Sequence, residues 1–203
     1  MLFHLITIKI YRINLKKVKL KIILKVKLKV KLKDKIKIIT NMDTRNIYIF
    51  DLDDTLYQID PNSNEKKIIS LVDKSLLDRL DGVKILFSNA QHSYCQKLLQ
   101  NLQILSLFSV VLSANMLAGL KPDKSIYDKV VNICGLKPSD NIVFFDNLGE
   151  NLQPAKLLGW TTVHIDQVYL PKGMKTCDKI DFIDYTWGNI NEALEHFICL
   201  IKK

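Results

Sequence analysis

The chain has 203 residues, with 30 Lys+Arg against 21 Asp+Glu, a formal charge of +9 and a pI near 9.3. The excess sits at one end: residues 1–41 hold 13 basic residues and one acid, Asp34, whereas residues 42–203 hold 17 basic and 20 acidic residues. This gives no support to a basic nucleic-acid groove on the body; no apolar run approaches the ~18 residues of a spanning helix; and Cys95, Cys134, Cys177 and Cys199 form no CxxC pair, which argues against a zinc site or disulfide framework and for reduced thiols in a cytoplasmic setting.

The tail comes first in chain order. From Lys17 to Lys37 nearly every odd position is Lys, broken only at Ile23, and the even positions are mostly Val, Leu or Ile. Period two is a strand period, so a transit helix fits poorly, and the apolar start precedes the charge, so a secretory signal fits poorly too. Two readings stand: a basic arm touching nucleic acid or an anionic surface, and a disordered low-complexity extension, which is the favoured one. Met42, directly before the first organised segment, is a second candidate start. The expected division is therefore a Lys-rich extension, 1–41, and one domain, 42–203, of 162 residues.

In the body, Asn46–Phe50 reads as a buried strand running into Asp51. Pro61 to Asn64 mark a loop. The spacing of Ile68, Leu71, Val72, Leu76 and Leu80 predicts a helix over 67–80, ended by Asp81-Gly82. Val83–Phe87 is a second strand, 92–105 a helix, and Phe108–Leu112 a third strand. Pro122-Asp123 opens a helix, with Ile126, Val130, Val131 and Ile133 inward and Gly135 as its cap. Asn141–Phe145 is a fourth strand ending at Asp146, 148–158 a helix, Thr161–Ile165 a fifth strand, and 189–201 a terminal helix. Alternation at this spacing predicts a parallel sheet with right-handed crossovers, with the ligand site beyond the carboxyl ends of its strands.

Those ends carry chemistry: Asp51-Leu-Asp53-Asp-Thr55, Ser88-Asn89, Lys121-Pro122 before a helix, and Asp146-Asn147. The residue types suit phosphoryl transfer. One carboxylate can act as nucleophile, and a second, two residues on, can exchange protons with the leaving group and with water. Carboxylates with carbonyls and water suit Mg²⁺. A hydroxyl, backbone N–H groups and a lysine can hold phosphate oxygens.

On these motifs the chain resembles the haloacid dehalogenase (HAD) superfamily of hydrolases over about residues 46 to 166. Phe50-Asp-Leu-Asp-Asp-Thr-Leu-Tyr57 is similar to its first motif, Phe87-Ser-Asn-Ala90 to its second, Lys121-Pro122-Asp123 to its third, and Phe144-Phe-Asp-Asn147 to its fourth. With Asn151 and Ala155-Lys156, the set looks like the pyrimidine 5′-nucleotidase-like branch. The resemblance implies a three-layer, Rossmann-like α/β core with helices on both faces of the sheet. It implies Asp51 as nucleophile and Mg²⁺ ligand, and Asp53 as general acid/base with its carbonyl on the metal. Thr55 would support the loop, and Ser88, with the Asn89 backbone, would bind phosphate. Lys121 would neutralise charge, and Asp146 would complete the metal shell.

Two departures stand out. The fourth motif carries Asn147 where a second acid is usual, so weakened or retuned Mg²⁺ binding is expected. Only residues 56–82 separate Thr55 from the second strand, room for one helix but not for the branch's helical cap. A capless or minimally capped, open site is expected, favouring a broad substrate range or a bulky phosphorylated partner, small molecule or macromolecule. The expected function is a Mg²⁺-dependent phosphomonoesterase working through an aspartyl-phosphate. The alternative is a catalytically weak or inactive binding module with a basic contact arm. Asp54 is expected to be a loop former, His164 structural, Trp160 and Trp187 packing residues and His92 a surface residue. For Tyr57 a pocket-lining role and a plain one stand level.

Overall fold

A computed structural model describes residues 45–60, 62, 68–166 and 180–201. The chain divides into Met1–Asn41 and Met42–Lys203, and the described residues all lie in the second unit. The expectations for the Lys-rich tail and for Cys177 lie outside the described residues.

Six parallel strands make one sheet: β1 (Asn46–Phe50), β4 (Val83–Ser88), β5 (Val110–Ser113), β6 (Asn141–Asp146), β7 (Thr161–Ile165) and β8 (Tyr185–Trp187). Their order is β5-β4-β1-β6-β7-β8. The first of these strands lies in the middle and the later ones build outward on one side and then on the other, so order reverses beside β1. Crevices at such reversals, beyond the strands' carboxyl ends, are where open α/β sheets bind ligands. Phe50 pairs in register with Leu86 of β4 and Phe145 of β6, so Asp51, Ser88 and Asp146 emerge from three adjacent strand ends.

The central strands are apolar runs because both faces are covered. Phe144 and Phe145 are consecutive and therefore point to opposite faces. Phe145 stacks on Phe50 with ring centroids 4.8 Å apart and meets Phe197 of α6 (Ile190–Ile201) edge-on at 5.5 Å. On the other face Phe144 meets Trp160 at 6.1 Å and Tyr127 of α4 (Lys124–Cys134) at 6.3 Å. Truncating either Phe to Ala would cost about 3–5 kcal/mol. The three-layer α/β core expected from the motifs is the fold observed, and Trp160 packs as expected.

Local chemistry sets the helix ends. Asp123 caps α4 by accepting from Ser125 N at 2.9 Å, and Gly135 closes it with φ +57°, a conformation glycine adopts without strain. Within α4 the buried set is Ile126, Tyr127, Val130 and Cys134, and Val131 and Ile133 are only half-buried.

Several elements differ from the sequence expectation. Where one helix was expected over 67–80, the described residues 68–80 do not form one: β3 (Ile68–Leu71) pairs antiparallel with β2 (Tyr57–Ile59), and only Lys74–Arg79, α1, is helical. Val72 N donates to Leu56 O at 2.8 Å, and Asn191 bonds both Leu71 O and Asp73 N. These partners, distant in sequence, outweigh the helical spacing. The helix predicted over 92–105 is α2 (His92–Asn101), which stops before Gln103 turns to φ +56° and gives way to a short 3₁₀ turn, Leu105–Leu107. β8 and the short helix α3 (Ala114–Leu117) had no counterpart in the sequence reading, being too short to show a period.

Candidate active site

The turn after β1 brings the first motif together. Asp51 N donates to Phe145 O at 2.9 Å, extending the sheet by one bond, and Leu56 N donates to Leu52 O at 3.0 Å. Asp54 sits within this turn at φ +56°, a conformation Asp tolerates better than most residues, which fits a loop former. α5 (Gly149–Leu157) follows β6 and carries Asn151.

Lys121 is the hub. Its side chain is fully buried, and Nζ donates to Asp51 Oδ1 at 2.7 Å, Asp146 Oδ2 at 2.7 Å and Phe87 O at 2.9 Å. The ammonium also lies 5.0 Å from the Phe87 ring centroid and 5.4 Å from that of Phe144. Its backbone is clamped by one side chain: Asn89 Nδ2 donates to Lys121 O at 3.1 Å, and Lys121 N donates to Asn89 Oδ1 at 2.8 Å. The Lys121–Pro122 peptide bond is cis. Asp146 is equally constrained, accepting from Leu148 N at 2.8 Å and from Asn151 Nδ2 at 3.0 and 3.1 Å.

Two carboxylates and one ammonium leave a negative charge in a buried site. Burial, and then the nearby Asp146, push the Asp51 carboxyl up to about 7 against the opposing pull of Lys121. Burial alone would lower the Lys121 ammonium, but Asp51 and Asp146 outweigh it and raise it above its ordinary value. Thr55 Oγ1 approaches Asp51 Oδ2 at 3.4 Å, and the Leu52 backbone also bonds this carboxylate. Ser88 is buried, its Oγ accepting from Ala90 N at 3.0 Å.

Asp53 stands apart and is half-exposed. Its Oδ1 accepts from Tyr57 OH at 2.5 Å and Tyr94 OH at 3.0 Å, and the two hydroxyls are 3.0 Å from each other. Burial, with the hydrogen bond to Asp53, pushes the Tyr57 phenol well above its usual range, so it stays a donor. Burial also raises Tyr94.

Of the seven residues singled out, Asp51, Lys121 and Asp146 are in direct contact, and Thr55 touches Asp51. Ser88 ends the neighbouring strand, next to the Phe87 carbonyl that Lys121 binds. The Asn89 side chain braces Lys121, a role the sequence did not suggest. Among the described residues no three of His, Cys, Asp and Glu converge; the two carboxylates that do are Asp51 and Asp146. Tyr94 was missed, and its only signal was an aromatic side chain on a mostly polar helix. Tyr57 takes its place beside Asp53. His164 is structural, its Nε2 2.9 Å from Asn147 O, and His92 Nδ1 is buried without a partner.

A HAD-superfamily hydrolase of subfamily IA from Geobacter sulfurreducens is similar in structure at TM-score 0.53 and 14% identity, covering 75% of this chain and 100% of that one. An L-2-haloacid dehalogenase is similar at TM-score 0.57 and 12% identity, covering 79% and 100%. The L-2-haloacid dehalogenase from Xanthobacter autotrophicus matches at TM-score 0.48 and 17% identity, over 60% of this chain and 58% of its own length. No curated protein matches in sequence. Among the described residues no helix is long and apolar enough to cross a membrane. The family model of haloacid dehalogenase-like hydrolases matches residues 64–165, half of the chain, and with the parallel sheet and the residues at its strand ends it makes this chain a member of that family.

Proposed function

We propose that the chain is a phosphomonoester hydrolase working through an aspartyl-phosphate at Asp51. The observation that carries this reading is Asp53, a second carboxylate placed two residues beyond the buried one and tied to two neutral donors. Displacement of a halide from carbon releases an anion that needs no proton. Cleavage of a phosphate ester releases an alkoxide that does, and a half-exposed carboxyl beside the nucleophile supplies it.

In this reading an Asp51 oxygen attacks phosphorus. The bond from phosphorus to the ester oxygen breaks, and that oxygen takes the proton of Asp53. Water then attacks the phosphorus of the acyl phosphate, giving its proton to Asp53, and the bond to Asp51 breaks to release phosphate. Lys121 holds Asp51 in place and offsets charge on the phosphoryl oxygens. Ser88 and the backbone N–H groups of its loop bind those oxygens.

The site's residues fit Mg²⁺. The Asp51, Asp146 and Lys121 trio carries an uncompensated negative charge, the donors are hard oxygens, and Asn151 Oδ1 beside Asp146 is buried with no partner, an acceptor suited to a metal-bound water. Asp51, Asp146 and the Asp53 carbonyl would hold the ion, and when bound it would neutralise phosphate charge and orient the ester. With the short 56–82 segment we read the site as open, acting on a broad range of phosphorylated small molecules, nucleotide-like ones included, or on a phosphorylated macromolecule. The well-separated free thiols of Cys95, Cys134 and Cys199 suit a reducing, cytoplasmic setting.

The test is phosphate release from aryl phosphates, nucleotides, sugar phosphates and phosphopeptides with Mg²⁺ present. Release that Asp51→Asn abolishes is expected. Chloride release from a 2-chloroacid with no phosphate from any ester would replace this reading with a dehalogenase. No turnover of either kind by a folded protein would favour the binding-module alternative.

A further inference from the structure

Asp53 is held differently from Asp51, two residues before it. Among the described residues it makes no ion pair, and its side chain is bonded by two phenols from different elements. Tyr57 comes from β2, which forms a bridge back to Asp53 itself, and Tyr94 comes from α2, the helix that follows the Ser88-Asn89 loop. Both hydroxyls lie within donating distance of the same oxygen, Oδ1, at 2.5 and 3.0 Å, and 3.0 Å from each other, so their two protons serve two of these three contacts at a time. Oδ2 takes no hydrogen bond from the described residues. The terminal torsion of an Asp side chain is broad and soft, so a half-exposed carboxyl wanders unless something holds it. Neutral donors fix its orientation without the opposing charge of an ion pair. Tyr57 is 8% exposed, whereas Tyr94 is 45% exposed.

Building on the phosphomonoesterase reading, we propose that Tyr57 and Tyr94 are positioning residues for proton transfer by Asp53. Their hydroxyls hold Oδ1 so that Oδ2 is presented to the ester oxygen. As the phosphorus–oxygen bond breaks, that oxygen receives the proton from Oδ2, and the water that later attacks the acyl phosphate returns one.

Proton donation matters most when the leaving group is a poor one. The test compares kcat/KM on n-butyl phosphate, whose alkoxide must be protonated, with 4-nitrophenyl phosphate, whose phenolate leaves unaided. In the full chain, Tyr57→Phe is expected to lose about 10–100-fold on the alkyl ester and less than about 3-fold on the aryl ester. Tyr94→Phe, a change on an exposed helix face, should lose about 3–10-fold on the alkyl ester alone. Because both tyrosines act through Asp53, Tyr57→Phe added to Asp53→Asn should cost nothing more. Equal losses on both esters, no loss on either, or full additivity with Asp53→Asn would overturn the proposal. If the unaltered protein releases phosphate from neither ester, the proposal falls together with the reading beneath it. Normal wild-type hydrolysis with leaving-group-blind variants sinks the tyrosine roles alone.

Discussion

The two aspartates of the first motif, two residues apart, live in opposite electrostatic settings. Asp51 is buried, shares the Lys121 ammonium with Asp146, and is pushed up to about 7. Asp53 is half-exposed and, among the described residues, its side chain is bonded to neutral phenols. In the first setting a fixed charge holds a group in one place, which suits a nucleophile that must not move. In the second, neutral donors hold geometry with no opposing charge, which suits the acid/base role proposed for it. Chemical identity is the same; in the proposed reaction the surroundings divide the labour.

The largest break in this comparison is Asp51→Asn. Phosphate release should fall by about 10⁴-fold or more, because no other group can form the acyl phosphate. Its stability should move the other way: removing one of two carboxylates that share one lysine relieves a buried charge, raising unfolding free energy by about 1 kcal/mol in a thermal melt without metal. Lys121→Met separates the two settings differently. It strands Asp51 and Asp146 together without a counter-charge, and urea unfolding should show a loss of about 3–5 kcal/mol, with activity gone as well. Asp53→Asn should leave stability within about 0.5 kcal/mol, since the site is half-exposed, while alkyl-ester turnover drops about 10²–10⁴-fold and aryl-ester turnover less.

The smallest effect on activity sharpens the contrast, because it concerns an ion pair with no chemistry. At the opposite, amino-terminal ends of the central strands Arg45 donates to both oxygens of Asp140 and to Gly135 O at 2.7 Å. Burial alone would raise the Asp140 carboxyl, but the Arg45 hydrogen bonds and the Lys137 N–H outweigh it and hold it below the usual carboxylate range. A depressed value in the fold gives stability that is present above the unfolded carboxyl's value near 3.8 and is lost as pH falls through the lower folded value. Asp140→Asn should cost about 1–3 kcal/mol at neutral pH, flatten that acid-side dependence, and leave kcat unchanged.

Much of this was readable in advance where one local pattern decided the outcome. Apolar runs ending in acids or Ser marked β1, β4 and β6, and the alternation of helix and strand set them parallel. Asp51, Lys121 and Asp146 were found because each follows such a run or opens a helix, although Asp51 and Lys121 are 70 residues apart. What could not be read depends on partners distant in sequence. Residues 68–71 have a spacing that suits a helix equally well, and pairing with β2 decides for a strand. Tyr94 lies 41 residues from Asp53, and nothing in its neighbours points there. Asn89 was placed by its motif, but the use of its side chain, bracing the Lys121 backbone across 32 residues, follows only from the folded loops.

The account's central claim is a covalent phosphoryl group on Asp51. Acid-quenching the protein during turnover of 4-nitrophenyl phosphate, reducing with borohydride and sequencing the peptide by mass would convert any aspartyl-phosphate to homoserine at that position. The account predicts homoserine at position 51 in the wild-type chain and none in Asp51→Asn. Steady phosphate release with position 51 still aspartate in every quenched sample would contradict it.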